Sequence, residues 1–457
     1  MTNDRTGAQV AAGNPQRNGR PRASRWSQVV LPPLLAALAV TACSGPAVTI
    51  DLMPSPDLYS EAGYDPFPEE APQTSLPDFE MLYATLRDPA GEDDDERFYA
   101  NRRGNLLRVG SARVQAGDGT FSWEEARRVS LAKNRPGSYP LKVTGVDELG
   151  VVASSIFAPA EVRATEPDTR EAFAQLVDEG LDRSRSKDVY VYVHGYKVVF
   201  ENPVLLASEL WHFLGYEGVM LAFSWPSTPK RLAYFSDLET AAMSGRGLRR
   251  MLSILAEDTQ VERIHVLGYS AGTRVVAECL NQISLLHRGD DPEQIFERRK
   301  LDQVVLVGSD IDRQSMGAFI EDGMLDVSRH LTVYLSGSDK ALGLSRWAMG
   351  GRERLGQAWA EGRMTAETAA FLRSTPRLTI VDVSDAENFE AGNGHAYFRR
   401  SPWCASDVLL TLGHGLEPGE RGLVLDEGLP IWRFPEDYVD RLHGLLPSLI
   451  PGYLDGR

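Results

Sequence analysis

From residue 187 onward, short apolar runs alternate with amphipathic ones, and no other feature narrows the fold as much. Residues 189–193 (VYVYV), 219–225, 264–267, 304–307, 331–335 and 378–383 read as strands. Residues 205–214, 238–255 and 273–286 read as helices, with Val276, Leu280 and Ile283 on one face of the last. A strand that is apolar at successive positions is buried on both faces, and strands separated by helices pair in parallel. These rules predict an α/β fold with a mostly parallel central sheet and helices on both of its faces.

One turn in this series carries chemistry. Gly268-Tyr269-Ser270-Ala271-Gly272 joins the strand 264–267 to the helix 273–286. Such a turn has no room for side chains at its flanking positions, and it lifts the serine above the sheet edge beside a helix N-terminus. Serine is a weak nucleophile at its own pKa, so it needs a base, and the base needs an orienting acid. In the α/β-hydrolase layout these follow in the order serine, acid, histidine. His395, in the loop after the third strand beyond the serine, is the expected base, with His414 as the runner-up. Asp339, after the strand 331–335, is the expected acid; Asp310 and Asp312, after the strand 304–307, compete with it. Sites of open α/β sheets form at the C-terminal ends of strands, where these candidates fall.

An acyl-transfer intermediate also needs two backbone N–H donors for its oxyanion. Ala271, next to the serine, is one expected donor, and Tyr196 in the turn His194-Gly195-Tyr196-Lys197 is the other. His194 ends a strand and is expected to shape that turn rather than act as a base. Trp225 and Pro226, in FSWPS (223–227), are expected to wall the site. Tyr234 and Asp237 border it or cap the following helix, and Tyr269 inside the elbow is a further pocket candidate.

The front of the chain reads as an address. Arg5, Arg17, Arg20, Arg22 and Arg25 precede an apolar run over 29–42, which ends in Val40-Thr41-Ala42-Cys43. A basic flank and a run too short to span a bilayer predict a secretory signal peptide over 1–42. The small residue before Cys43 resembles a bacterial lipobox, which implies lipidation of that cysteine and an exported, membrane-anchored protein of the cell envelope. Residues 43–80, rich in Pro, Asp, Glu and Ser, are expected as a tether. Residues 81–165 are expected as a β-rich N-terminal extension, and 166–457 as the main catalytic domain.

Composition excludes several classes. Asp and Glu total 64 against 48 Lys and Arg, a net charge of −16, which argues against a nucleic-acid partner. Three cysteines cannot make a disulfide scaffold. No metal or other cofactor is expected.

Taken together, YVHGYKVVF (192–200), FSWPS (223–227), the Tyr234 to Asp237 spacing, GYSAG (268–272), VGSDID (307–312), VYLSGSDKAL (333–342) and GHAYF (394–398) resemble the bacterial α/β-hydrolase family of unknown function 900. MLYATLRDP (81–89) and FYANRRGNLLRVGSARV (98–114) resemble that family's N-terminal extension. Many members read His-Ser-Met-Gly at the elbow, where this chain has Tyr269-Ser270-Ala271-Gly272. The resemblance implies an α/β-hydrolase fold and a serine hydrolase using Ser270, Asp339 and His395, and it implies no substrate. The expected activity is cleavage of small esters or lipids. A catalytically silent binding lipoprotein and an acyltransferase are the alternatives.

Overall fold

The computed structural model describes residues 48–72, 75–229, 234–336, 355, 364–386 and 395–450, with the side chains of residues 234 and 235 excepted. The strands are β1 (Thr49–Asp51), β2 (Asp78–Pro89), β3 (Tyr99–Ala116), β4 (Pro140–Ala153), β5 (Asp188–Val193), β6 (Val219–Ser224), β7 (Arg263–Tyr269), β8 (Leu301–Val307), β9 (His330–Leu335), β10 (Leu378–Asp382), β11 (Val424–Leu425) and β12 (Trp432–Arg433). They form one sheet in the order β1-β4-β3-β2-β6-β5-β7-β8-β9-β10-β12-β11. From β2 through β6, β5, β7, β8, β9 and β10 every pairing is parallel. The fold class is therefore α/β, as the strand and helix alternation predicts.

The central strands explain themselves. In β5 all six residues are buried, and alternate side chains serve opposite faces. Tyr190 and Tyr192 join one apolar cluster with Met220, Leu267 and Val305. Val189, Val191 and Val193 join the other with Leu221, Val266 and Leu306. Two-sided burial of this kind is what makes the run VYVYV legible.

Helix ends follow equally local rules. The helix Pro402–His414 starts with the Ser401 hydroxyl accepting the Cys404 N–H and Pro402 in its first turn, and it ends at Gly415 with φ 60°. Residues 168–183, where Phe173, Leu176, Val177 and Leu181 recur at helical spacing, form the later part of a helix that runs Ala160–Arg183 and carries Pro167 inside it. Its buried residues, Phe173, Ala174, Val177 and Leu181, all lie beyond the proline, which is why the periodic pattern starts late.

Two expectations about the front of the chain need correction. Residues 48–72 do not behave as a tether. Leu52, Met53, Leu58, Tyr59 and Phe67 are buried in the same cluster as Tyr190 and Leu267. Residues 81–165, expected as a β-rich extension set apart from the main domain, supply β3, β4 and most of β2, long antiparallel strands that extend the main sheet. The joint is the parallel pairing of β2 with β6, from Leu82 opposite Leu221 to Thr85 opposite Ser224. The C-terminal end of β2 thus reaches the same sheet edge as the ends of β5, β6 and β7.

Candidate active site

Ser270 stands at the end of β7 with φ 53°, a left-handed conformation uncommon outside glycine. Its N–H donates to Val307 O at 2.9 Å, which ties the turn to β8. Close packing around the turn accounts for its glycines. A Cβ on Gly268 would stand 2.9 Å from Val276 Cγ2, and one on Gly272 would strike the carbonyl oxygens of Val193 and His194. The second clash matters for the site. It means that the helix Gly272–Leu286 begins directly against the end of β5, so the elbow and the His194-Gly195 turn are in contact.

His395 Nε2 lies 2.8 Å from Ser270 Oγ. Both residues are nearly buried, at 7% and 9% exposure, so water reaches the pair only at its edge. The imidazole rests against Gly308 just past β8, where a Cβ would stand 3.0 Å from the ring. Two residues on, Tyr397 Oη accepts the Gly308 N–H at 2.7 Å and donates to Tyr334 O at 3.1 Å. The residue after the histidine loop is thereby pinned to the ends of both β8 and β9. The expected acid, Asp339, lies outside the described residues. Its competitor Asp310 is buried beside Arg274 (3.4 Å), and Asp312 caps the helix Arg313–Glu321 through the Gln314 and Ser315 N–H groups.

Ala271 precedes the first residue of the helix Gly272–Leu286, and no side chain caps that end. Amides in a first turn have no intrahelical acceptor and carry the positive end of the helix dipole. Opposite them, Gly195 packs against Ser270 so tightly that a Cβ there would stand 3.3 Å from Oγ. Tyr196 follows, half-buried, and Lys197 closes the turn with φ 67°. A serine, an imidazole and two converging backbone segments can support acyl transfer.

The sequence model of the alpha/beta hydrolases of unknown function (DUF900) matches residues 169–411. The chain belongs to this family. Membership supports a hydrolase-type function and leaves the substrate open. The match spans β5 to β10 with Ser270 and His395, and leaves β1 to β4 outside it. No curated protein matches the chain.

The remaining candidates of this α/β hydrolase surround the elbow and the His194-Gly195 turn in different ways. His194, Trp225 and Asp237 are buried, so Trp225, expected as a pocket wall, packs inside the protein. Trp225 Nε1–H donates to His194 O at 2.6 Å, and the two rings stack with centroids 5.2 Å apart. His194 Nδ1 and Nε2 face Gly195 O at 2.6 Å and Trp225 O at 3.0 Å. Burial, and then the Arg87 cation nearby, lowers its pKa to about 3, so the ring is neutral and occupied as a brace. Asp237 accepts the Thr228 N–H at 2.8 Å and its hydroxyl at 2.9 Å, which fastens the loop after β6. Tyr269 is half-exposed, with its ring centroid 5.2 Å from that of His395 and 4.8 Å from that of Phe398. The Tyr234 side chain lies outside the described residues. His414 ends the helix Pro402–His414, edge-on to Tyr64 at 5.8 Å.

A second serine–histidine pair shows what proximity alone is worth. Ser130 Oγ lies 2.6 Å from His212 Nε2, and His212 Nδ1 lies 2.7 Å from Tyr216 Oη. Both residues are sealed in the core, and burial holds the His212 pKa near 3. No strained turn and no helix N-terminus accompany that serine. Cys279 and Cys404 are buried and unpaired, with burial raising both thiols. Among the described residues, no three His, Cys, Asp or Glu side chains gather as a metal site would require.

Proposed function

We propose that this α/β hydrolase cleaves carboxylic esters by way of an acyl-enzyme on Ser270. Ser270 attacks the acyl carbon while His395 takes its proton and later returns it to the leaving alcohol. Asp339, by its place in the order along the chain, holds the imidazole in the right tautomer and stabilises its cation. The Ala271 and Tyr196 N–H groups receive the oxyanion, and water then releases the acid. The observation that carries the reading is the 2.8 Å contact between Ser270 Oγ and His395 Nε2, with the serine held at φ 53° at a strand end. We further propose that Cys43 is lipidated after removal of 1–42 and anchors the enzyme in the cell envelope, where lipids or small esters are at hand.

A fluorophosphonate probe tests the reaction without a guess at substrate. Wild-type labelling that disappears in Ser270→Ala, with ester turnover lost in His395→Ala and Asp339→Ala, is the expected result. A folded wild-type protein that takes no label and turns over no nitrophenyl ester would sink the proposal.

A further inference from the structure

Arg87 is the last inward-facing residue of β2. Along that strand Phe79, Met81, Tyr83 and Thr85 alternate into the core, and Arg87 continues the series as a fully buried cation. The β2–β3 register slips on either side of it, between Thr85 and Arg87 and again between Arg87 and Pro89. Irregularities of this kind re-aim side chains next to active sites. Here the guanidinium comes to the edge where β5, β6 and β7 end.

Its five N–H groups all find acceptors. Nε donates to Ser224 Oγ at 3.0 Å. Nη1 donates to Asn101 Oδ1 and to Ser227 O at 3.2 Å. Nη2 donates to Val198 O at 3.1 Å and to Ser227 Oγ at 3.5 Å. Ser227 Oγ in turn donates to Val198 O at 3.0 Å. One planar fork therefore joins the turn after β5 to the loop after β6. No carboxylate forms an ion pair with it among the described residues. Burial lowers its pKa to about 9, which leaves it charged at neutral pH.

The turn it holds is the one that faces the serine. Val198 lies three residues beyond Gly195, which packs on Ser270, and two beyond Tyr196. Lys197 between them sits at φ 67°, a conformation that costs a non-glycine residue energy and persists only where its surroundings impose it. The turn therefore depends on outside support, and Arg87 supplies it directly at Val198 O and through Ser227, whose hydroxyl donates to the same carbonyl.

We propose that Arg87, contributed by the strand that lies outside the family match, is the positioning residue that sets the oxyanion turn 195–198 against Ser270. The inference rests on the acyl-transfer reading above. It gives MLYATLRDP, FSWPS and YVHGYKVVF a common purpose, since each supplies a member of the same junction: Arg87, then Ser224 and Ser227, then Val198.

The test uses the full chain in detergent, with wild type, Arg87→Met and Arg87→Lys compared. The readouts are the second-order rate of fluorophosphonate labelling, kcat and KM on a nitrophenyl ester, and the thermal midpoint. Loss of a single oxyanion donor costs about 10²–10³ in rate. A displaced turn should cost Arg87→Met about 10- to 100-fold in labelling rate and kcat, with KM within about threefold. Arg87→Lys, which keeps the cation and loses the fork, should also fall at least about tenfold. Folded Arg87→Met labelled at the wild-type rate would overturn the positioning role alone. If Arg87→Met does not fold, Arg87→Lys decides on the same rate. A folded wild type without label would overturn the serine reading and this one with it.

Discussion

Gly195 approaches Ser270 so closely that a Cβ built on the glycine would stand 2.8 Å from the serine Cβ. The turn and the elbow form a single contact, and in the proposed acyl transfer its tightness sets where the N–H groups meet the oxyanion on the acyl carbon bound to Ser270. A methyl group there must push the two segments apart. Gly195→Ala is expected to lower kcat by about 10- to 100-fold, because sub-ångström misplacement of an oxyanion donor costs on that scale. The melting temperature should fall by only a few degrees, since Gly195 lies outside both apolar clusters. Steady-state kinetics and a thermal melt check this, and an unchanged kcat would show that the turn takes no part.

Tyr397 braces the other side of the pair. Removal of its hydroxyl in Tyr397→Phe leaves the buried Gly308 N–H and Tyr334 carbonyl without that partner. Each unsatisfied buried group costs about 1–3 kcal/mol. The expected loss of stability is about 2 kcal/mol by urea titration, with kcat down about three- to tenfold as Gly308 and the His395 ring lose their common reference. Full stability together with full activity would show that the hydroxyl bridge is idle.

The parts of this molecule that are legible in the sequence are those where one local rule decides. VYVYV is a central strand because both of its faces are buried. GYSAG is an elbow because two glycines stand where backbone and side chains crowd, and Ser270 and His395 come together as the layout predicts. Residues 48–72 mislead because Leu52, Met53, Leu58 and Tyr59 are spaced without a period, among prolines and acids. Their burial is decided by partners more than a hundred residues away. Trp225 misleads in the opposite way. An aromatic residue at a strand end reads as a pocket wall, yet its indole N–H is spent on His194 O. Arg87 left one trace, a cation at an inward position of an alternating strand, and that trace was open to recognition.

Acid should destabilise the fold over a window set by histidines. Burial lowers the pKa of His194 and His212 to about 3 and of His330 to about 4. Each folded value lies below the ordinary histidine value, so the unfolded chain binds more protons between the two. Stability from these groups is complete above about pH 6.5 and is lost as pH falls toward 4, at about 1.4 kcal/mol per pH unit for each group. Burial raises Asp407, Asp237 and Glu201, which act with the opposite sign. The comparison of wild type with His330→Gln separates the two effects. Urea midpoints at pH 7.5 and 5 should show a smaller drop in the variant, and equal drops would refute the assignment.

The front segment offers the sharpest contrast between a tether and a structural part. Arg399, four residues beyond His395, donates to Glu209 Oε2 at 2.6 Å and also to Asp51 O. Glu209 accepts the Met53 N–H as well, and Leu58 N–H donates to Ser406 Oγ at 2.9 Å. Met53, Leu58 and Tyr59 are buried, and each such side chain is worth about 1.5–3 kcal/mol. Their joint removal takes away a large share of the 5–15 kcal/mol that holds a typical domain (roughly). It also strips an acceptor from Arg399 on the helix that follows His395. A chain beginning at residue 44 is therefore expected to fold and to react with a fluorophosphonate. One beginning at residue 63 should melt at least about 10 °C lower or fail to accumulate, with labelling reduced in step. Equal melting and labelling of the two chains would restore the tether reading. It would also show that the link from Asp51 through Arg399 toward the His395 loop carries no weight.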